Sequence, residues 1–342
     1  MPTHFPAQPA DLTASWLSET LRCEIHDFNV QPFAEGAGII GQVVRVQLDG
    51  RQPIPSLVAK FPSPSEANRA VAHTYDMYRR EVRFYQTIAS QVSIRTPNCY
   101  FADFDDATQD FVLLMEDLRD FEIGDQVKGC TLDQARQIIS GIARLHASAW
   151  QPGHLNLVSH NNAAQRDGMI AGFKMGWPAV VDSFRELIPD AALRAGDKMA
   201  SATPWLLNEM CTPPVSLAHA DMRLDNVFFC KDEIALVDWQ SVCTSAPEQD
   251  LAYFLTQSVP LEMVLEHDLK GLYYRELRAH GIDYPRETFE HRYKVAALYL
   301  LNYAVIIAGT LDLGNDRGQA LARTLIGGSF ASLDEMGAFD LL

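Results

Sequence analysis

The stretch that decides the fold is LAHADMRLDNVFFCKDEIALVDWQ, residues 217–240. It places His219, Asp221 and Asn226 in the pattern H-x-D-x-x-x-x-N, and Asp238 follows twelve residues after the asparagine. This spacing is typical of the catalytic loop of enzymes that transfer phosphoryl groups. A loop and hairpin with chance acids would have to match all four positions, so we interpret the stretch as the centre of a phosphotransferase.

The second half of the stretch predicts a hairpin. VFFC and EIALV flank the dipeptide 231–232, which is the length of a two-residue turn. Pairing outward from that turn puts Asn226 opposite Val237, one step from Asp238. Opposite positions on paired strands lie about 5 Å apart, so the two side chains can share a cation. One amide oxygen and one carboxylate, completed by phosphate oxygens and water, predict a Mg²⁺ site.

The loop before the hairpin supplies the predicted chemistry. Asp221 would face the substrate hydroxyl, orient it and accept its proton late in the transfer. Arg223, two residues further on, could neutralise the γ-phosphate in the transition state. We interpret His219 as a structural brace of the loop rather than as a base, and Asp225 as a solvated neighbour.

A lysine and a glutamate further upstream form a second predicted pair. Lys60 ends the apolar strand LVAK, and a lysine in a buried strand is uncommon unless it is paired. Glu81 lies on the apolar face of a predicted helix over residues 69–90, where a carboxylate needs a cation. The pair would hold the lysine where it reaches the α- and β-phosphates. The alternative is a lysine that extends to solvent and a glutamate that it does not contact.

The glycine-rich stretch 36–43, GAGIIGQV, has the pattern G-x-G-x-x-G-x-V, with Gly36, Gly38 and Gly41. The same glycines also mark dinucleotide sites, where the loop must open a helix. Here the loop runs into VVRVQL, an alternating strand, which favours a loop between two strands that covers phosphates. An ordinary glycine-rich turn stays the alternative.

These residues together resemble the aminoglycoside phosphotransferase and choline kinase-like small-molecule kinases, which share the protein-kinase fold. The resemblance covers roughly residues 25–310. The segments EVRFYQ and LLMEDL are most similar to ecdysteroid-kinase-like and acyl-CoA-dehydrogenase-associated phosphotransferases. Where a protein kinase has Asp-Phe-Gly this chain has Asp238-Trp239-Gln240. That is a habit of the small-molecule branch and argues against a protein substrate.

The resemblance implies ATP, sometimes GTP, and Mg²⁺ as cofactors. It assigns Asp221 as the base, Lys60 to phosphate, and Asn226 and Asp238 to metal. It also implies adenine contacts by backbone groups of the hinge at Glu116 and Leu118, and a structural aspartate at position 250 that braces the catalytic loop. One departure is Ala220, where the family usually has glycine.

The predicted fold class is α+β, bilobal and protein-kinase-like. A β-rich nucleotide-binding lobe is expected over residues 1–117, because strand patterns at 43–48, 57–61 and 111–116 accompany the helix at 69–90. A larger helical lobe is expected over 118–342, with the catalytic loop, the metal site and the acceptor pocket.

Composition limits the partners. Lys and Arg total 28 against 44 Asp and Glu, a formal net charge of -16 over 342 residues, which disfavours nucleic acid and anionic membrane. The start of the chain lacks the basic and apolar regions of a signal peptide and no CxxC pair occurs, so we expect a cytoplasmic protein with free thiols. The longest uncharged run, 295–311, falls short of the ~20 residues of a membrane span and predicts a buried core helix.

The acceptor stays open at this stage. An aminoglycoside, an amino alcohol, a sterol-like alcohol or a hydroxyacyl compound would each fit a variable helical pocket. His146 is interpreted as a core or interface histidine, whereas Trp177 and Trp205 could line the pocket or lie in the core. Two other functions compete: a nucleotide-binding regulator without turnover, and a dinucleotide-dependent oxidoreductase. Oligomeric state is not indicated by the sequence.

Overall fold

The structure is a computed structural model that describes residues 4–33, 40–51, 53–310 and 313–342. The chain forms two compact units. The first comprises residues 1–91, 96–121 and 237–241, and the second comprises 92–95, 122–236 and 242–342. The sequence predicts a boundary after residue 117, whereas the first unit continues to Phe121 and also includes the segment from Val237 to Ser241.

The first unit is built on a five-stranded antiparallel sheet in the order β1-β2-β3-β5-β4. Its strands are β1 (Glu24–Pro32), β2 (Gly41–Arg51), β3 (Ser56–Pro62), β4 (Cys99–Phe104) and β5 (Phe111–Glu116). The three predicted strands are confirmed as β2, β3 and β5. The edge strands β1 and β4 are additions that the sequence pattern does not predict.

One face of this sheet forms a hydrophobic core. Alternate residues of its central strands are fully or almost fully buried there; they are Val44, Val46, Leu57, Ala59, Phe61, Val112 and Leu114. They pack with Leu17 of helix α1 (Ala14–Leu21). Thr13 caps the N-terminus of this helix, and its Oγ1 accepts the N–H of Trp16 at 3.1 Å. The alternation leaves the opposite face of the sheet to the residues in between, Lys60 among them.

The helix predicted over residues 69–90 is two helices. The chain forms α2 (Glu66–Thr74), then α3 (Met77–Arg83), which continues into a π-helical turn to Ile88. Asp76 between them has φ 53°, in the left-handed region, and such a residue cannot continue a right-handed helix. The break separates α3, which carries Glu81, from α2.

The second unit is mostly helical. Its helices are α4 (Leu132–Ser148), α5 (Ala163–Ser183), α6 (Asp190–Cys211), α7 (Glu248–Gln257), α8 (Leu261–Glu266), α9 (Leu269–Ala279), α10 (Arg286–Thr310) and α11 (Asp316–Glu335). Its short strands are β6 (Glu122–Ile123), β7 (Ser216–Ala218), β8 (Val227–Cys230), β9 (Glu233–Leu236) and β10 (Cys243–Ser245).

The predicted hairpin is confirmed in its register from Val227 to Leu236, but the strand pairing does not extend to the predicted pair of Asn226 and Val237. Cys230 pairs with Glu233 across the two-residue turn, and the pairing continues to Val227 opposite Leu236. Asn226 is the last residue of a short 3₁₀ turn that leads into β8. The predicted catalytic loop is therefore followed directly by a regular antiparallel pair of strands.

Helix α10 is the central helix of the second unit. Gly176 lets the backbone of α5 approach that of α10 closely: a Cβ at this position would lie 2.6 Å from the carbonyl oxygen of Val305. Among the described residues α10 is also the one helix long and apolar enough to cross a membrane, and 67% of its most apolar window is buried inside the structure. That burial supports the predicted core helix.

Candidate active site

The predicted pair of Lys60 and Glu81 is confirmed as an ion pair. The Lys60 Nζ lies 2.7 Å from Glu81 Oε2, and it donates a hydrogen bond of 2.7 Å to Asp238 Oδ1. Lys60 is 5% exposed and Glu81 1% exposed. The sequence predicts only the first of these carboxylates; the second partner, Asp238, was predicted as a metal ligand alone.

The electrostatics of this cluster favour a charged lysine. Burial by itself would lower the pKa of Lys60, but the carboxylates of Asp238 and Glu81 raise it above its ordinary value. Burial raises the pKa of Glu81 to about 7, because the nearby Lys60 offsets only part of the desolvation. The cluster thus presents a permanently positive lysine on the face of the sheet opposite the core.

Tyr78 connects the helix of Glu81 to the glycine-rich stretch and to the end of the strand that carries Lys60. Its hydroxyl donates to the carbonyl of Ile40 at 2.6 Å and accepts the N–H of Ser63 at 3.0 Å. Ile40 lies within the glycine-rich stretch and Ser63 follows β3, so one side chain ties α3 to both. The position of Tyr78, three residues before Glu81, places both on the same helix face, but the sequence pattern does not predict these two hydrogen bonds.

Gly41 is the glycine of the predicted loop that the structure describes. A Cβ there would lie 3.1 Å from Lys60 Cε and 3.1 Å from the Phe61 carbonyl oxygen. The absence of a side chain therefore lets β2 pass close to the lysine. Gly36 and Gly38 lie outside the described residues.

The segment that carries Asp238 is held in the first unit by side chains of α3 and its π-helical turn. Trp239 is fully buried and stacks on Phe84, with ring centroids 3.9 Å apart, and Arg80 donates to the carbonyl of Ser241. Asp238 itself has φ 66°, and its Oδ2 accepts a hydrogen bond from Gln240 at 3.2 Å. These contacts explain why Val237–Ser241 belongs to the first unit although the catalytic loop before it belongs to the second.

The predicted base is oriented within the second unit. Asn226 Nδ2 donates to the backbone carbonyl of Asp221 at 2.9 Å and to Asp221 Oδ2 at 3.0 Å. Arg223 Nε lies 3.6 Å from the same Oδ2. The structure thus brings the three predicted residues together, and the amide nitrogen of Asn226 is committed to the base.

Asp250 fixes the backbone of the predicted catalytic loop. Its buried carboxylate accepts the N–H of His219 at 2.7 Å and that of Ala220 at 2.8 Å. His146, also fully buried, lies 3.1 Å from Asp250 Oδ2 through Nε2 and 2.7 Å from the Tyr273 hydroxyl through Nδ1. His146 is therefore a core histidine, as predicted, and it steadies the brace.

His219 has the structural position predicted for it. It is fully buried, and its Nδ1 accepts the N–H of Asp221 at 3.3 Å. Ala220 has φ 65°, so a non-glycine residue occupies a left-handed position at this turn. Alanine thus occupies a position where the resemblance leads us to expect glycine, and the N–H of Ala220 donates to Asp250.

The residues expected to hold magnesium fit that ion by their chemistry. Asn226 has its amide nitrogen engaged by Asp221, which leaves the amide oxygen as a ligand, and Asp238 supplies a carboxylate. Asn226 belongs to the second unit and Asp238 to the first. Across the described ranges no three His, Cys, Asp or Glu side chains group as a metal site. A magnesium ion held by these two side chains would take its other ligands from phosphate oxygens and water, as the sequence analysis expects.

The tryptophans considered for the acceptor pocket differ in their surroundings. Trp177 stacks on Phe173 with ring centroids 5.4 Å apart and packs near Phe330, so it belongs to the packing of α5 and α11. Trp205 on α6 is 38% exposed. A separate cluster of amide and hydroxyl groups, which the sequence pattern does not predict, joins α5 to α10. In this cluster Gln165 Nε2 donates to the hydroxyls of Tyr299 and Tyr303.

Solved structures with the same fold are small-molecule phosphotransferases. A candidate aminoglycoside phosphotransferase from Ralstonia eutropha superposes with a TM-score of 0.58 at 15% identity, covering 94% of this chain and 97% of its own. A GDP and kanamycin complex of an APH(2″) enzyme gives 0.52 at 13% identity, covering 95% and 97%. A GDP complex of the aminoglycoside 2′-phosphotransferase-IIIa gives 0.50 at 12% identity, covering 95% and 96%.

The fold is that of kinase-like small-molecule phosphotransferases, with a β-sheet part followed by a mostly helical part, as the sequence predicts. The model of the ecdysteroid kinase-like family matches residues 35–282, more than two thirds of the chain. The chain belongs to the ecdysteroid kinase-like family. No curated protein matches the sequence.

Proposed function

We propose that the protein transfers the γ-phosphoryl group of ATP, with GTP as the other candidate donor, to a hydroxyl group of a small molecule. The observation that carries the proposal is the buried cluster of Lys60, Glu81 and Asp238. Buried ion pairs are commonly no more stable than apolar residues of the same volume, so stability gives little reason to keep one. A lysine held charged by two carboxylates is suited to bind the α- and β-phosphates of a nucleotide.

Asp221 is proposed to act on the acceptor. Its carboxylate would accept a hydrogen bond from the acceptor hydroxyl, aim that oxygen at the γ-phosphorus and receive the proton as the new O–P bond forms. The bond between the γ-phosphorus and the β,γ-bridging oxygen breaks, and ADP leaves with that oxygen. Arg223, 3.6 Å from Asp221 Oδ2, would neutralise charge on the transferred group.

Asn226 and Asp238 are the residues proposed to hold magnesium, which would neutralise charge on the phosphates when bound. Their amide and carboxylate oxygens are the ligand types that magnesium prefers. The proposed nucleotide contacts of Gly36, Gly38, Gly41, Glu116 and Leu118 rest on the sequence and on the family resemblance.

The acceptor is proposed to be a small alcohol. The family's description makes a sterol-like alcohol the first compound to test, and kanamycin, bound by one structural relative, makes an aminoglycoside the second. Amino alcohols and hydroxyacyl compounds complete the panel.

The test measures ADP release and phosphorylated product, by mass spectrometry, over that panel with Mg-ATP and Mg-GTP. We expect Asp221→Asn to lower transfer by roughly 10³-fold while nucleotide affinity changes less than about twofold. The matched control is Asp232→Asn, in the exposed turn of the same hairpin, which should transfer at the wild-type rate.

Two results would replace the proposal. If the wild-type protein is stabilised by Mg-ATP against heat but forms no product with any acceptor, it is a nucleotide-binding regulator. If NAD(P) stabilises the protein and ATP does not, it is a dinucleotide-dependent oxidoreductase. Transfer at the wild-type rate by Asp221→Asn would show that the base is a different residue.

A further inference from the structure

The hinge after β5 contains a buried carboxylate with an unusual number of donors. Asp117 lies between the two predicted adenine contacts, and its side chain is 3% exposed. Arg45 donates to it in a bidentate manner, Nε to Oδ2 at 2.9 Å and Nη2 to Oδ1 at 3.1 Å. Ser56 Oγ donates to Oδ2 at 2.7 Å, and Arg119 Nε donates to the same oxygen at 2.9 Å. We call Arg45, Ser56, Asp117 and Arg119 the hinge clamp.

The clamp joins three parts of the first unit. Arg45 comes from β2, Ser56 begins β3, and Asp117 and Arg119 belong to the hinge itself. Arg119 also donates to Ser56 Oγ, so the donors contact one another as well as the carboxylate. A network of several charges with bidentate geometry holds a backbone far more firmly than an isolated surface pair does.

The neighbours of Asp117 are fixed too. Glu116 exchanges two hydrogen bonds with Asn98: its N–H donates to the Asn98 carbonyl at 2.8 Å, and its Oε2 accepts the Asn98 N–H at 3.0 Å. The carbonyl of Leu118 accepts the N–H of Phe121 at 2.9 Å. The three hinge residues are therefore each held by a bond of their own, which is more than a connection between elements needs.

Arg45 also lies on the same face of the sheet as Lys60. In the register of β2 and β3, Val43 pairs with Lys60 and Arg45 pairs with Val58, so these four residues share the face opposite the core. Arg45 is two residues from the lysine row, about 7 Å along the strand. Its guanidinium lies 5.1 Å from the ring centroid of Phe33, which precedes the glycine-rich stretch.

We propose that Arg45 and Asp117 are positioning residues for the nucleobase: the clamp holds the backbone of Glu116 to Leu118 in the conformation that binds the hydrogen-bonding edge of the base. The inference rests on the proposed nucleotide-dependent function. Backbone donors and acceptors discriminate between ligands only when they are held to within about half an ångström. If the clamp has this role, its loss should weaken the binding of the nucleobase and leave the binding of the phosphates unchanged. The loss of a clamp that only stabilises the fold would not distinguish between the two.

The test compares ligands that carry the base with one that lacks it. Affinities of Mg-ATP, Mg-GTP, adenosine, guanosine and Mg-tripolyphosphate are measured by calorimetry for wild type, Asp117→Asn and Arg45→Met. We expect each variant to lose roughly tenfold in affinity for the preferred nucleotide and its nucleoside, as the loss of one good hydrogen bond would cost, and nothing for tripolyphosphate. The control is Arg69→Met, which removes a comparable Arg–Asp pair, with Asp110 at 2.6 Å, in the same unit.

The outcomes separate this inference from the proposed function. Equal losses for nucleotide and tripolyphosphate, no loss at all, or a wild-type protein that binds no nucleoside would each overturn the role of the clamp. Base-dependent losses with no phosphate transfer to any alcohol would leave the clamp standing and overturn the function. If Asp117→Asn unfolds, Arg45→Met decides, because it keeps the carboxylate and its bonds to Ser56 and Arg119.

Discussion

The carboxylates of Asp250 and Glu81 are equally buried, one in each unit, yet their surroundings differ. Asp250 accepts two backbone N–H groups and contacts His146. Burial alone would raise its pKa, but the bonds from His146 and the backbone hold it below the ordinary value. Burial raises the pKa of Glu81, which is held mainly by the cation of Lys60.

The difference teaches how a buried acid is used. Backbone N–H groups that donate to a buried carboxylate are not available to a ligand, so a carboxylate that accepts them is part of the framework. A carboxylate paired with a lysine orients a charge that stays available for phosphate. Glu248 lies on the same helix as Asp250 and is as deeply buried, but its pKa shifts in the opposite direction. Burial raises the pKa of Glu248 to about 7 despite the nearby Arg292.

The largest expected effect is at Asp250. Asp250→Asn should lower the free energy of unfolding by about 3–5 kcal/mol, because it removes the charge that compensates three buried donors. Urea unfolding at pH 7 measures this, with the exposed Asp334→Asn as the control that should change stability little. A loss below about 1 kcal/mol would mean that the brace is not the framework element described above.

Glu248 is expected to give a pH dependence of the opposite sign to that of Asp250. The pKa of Glu248 rises from 4.5 in a model peptide to about 7 in the folded chain. Its stabilising contribution is therefore full below about pH 4.5 and lost as the pH rises through 7. The loss amounts to about 3 kcal/mol for a group this deeply buried.

The comparison uses wild type and Glu248→Gln, each unfolded with urea at pH 5 and at pH 8. The wild type should lose more stability over this interval than the variant, since the variant cannot release the proton. Other groups, Glu81 included, titrate in both proteins and cancel. Equal slopes for the two proteins would show that Arg292 keeps Glu248 ionised throughout.

The sequence predicts elements whose signals are local. The hairpin register at Cys230 and Glu233 follows from a two-residue turn, and the strands β2, β3 and β5 follow from apolar alternation. The strands β1 and β4 were missed because they are the edges of the sheet, where most residues are exposed or half-buried and the alternation is weak. The left-handed residue that divides α2 from α3 leaves no pattern at all.

The site divides in the same way. The pairing of Lys60 with Glu81 was predictable, because both charges fall in apolar patterns that need compensation. The bond from Lys60 to Asp238 joins residues 178 positions apart, and that from Arg45 to Asp117 joins residues 72 positions apart. Such pairs depend on how strands and hinge meet, which no local spacing records.

Glu81 should affect activity more than stability. Glu81→Gln removes one of two carboxylates that hold Lys60, so kcat/KM for Mg-ATP should fall about 100-fold, near the cost of one misplaced catalytic charge. The free energy of unfolding should change by less than about 1 kcal/mol, because the desolvation of a buried carboxylate is also removed. Steady-state kinetics and urea unfolding measure the two effects.

A matched control for this variant is Glu66→Gln on the exposed first turn of α2, which should change neither quantity. A large loss of stability with unchanged kcat/KM in Glu81→Gln would reverse the comparison. Glu81 would then belong to the framework, as Asp250 does.

The smallest expected effect is at Ala220, where the framework and the catalytic loop meet. With φ 65°, alanine bears a left-handed cost of about 1–2 kcal/mol that glycine would not. Glycine adds about 0.5–1 kcal/mol of chain entropy to the unfolded state, so Ala220→Gly should stabilise the fold by between zero and about 1.5 kcal/mol. The N–H of residue 220 still donates to Asp250 in the variant, so the backbone of the loop should shift little and kcat should change less than about twofold.

Thermal unfolding measures the gain in stability. The control is Lys231→Gly, at the exposed left-handed residue of the hairpin turn. A net loss at Ala220 alone would mean that its methyl group packs usefully in the loop, and that alanine here is a packing choice instead of a tolerated strain.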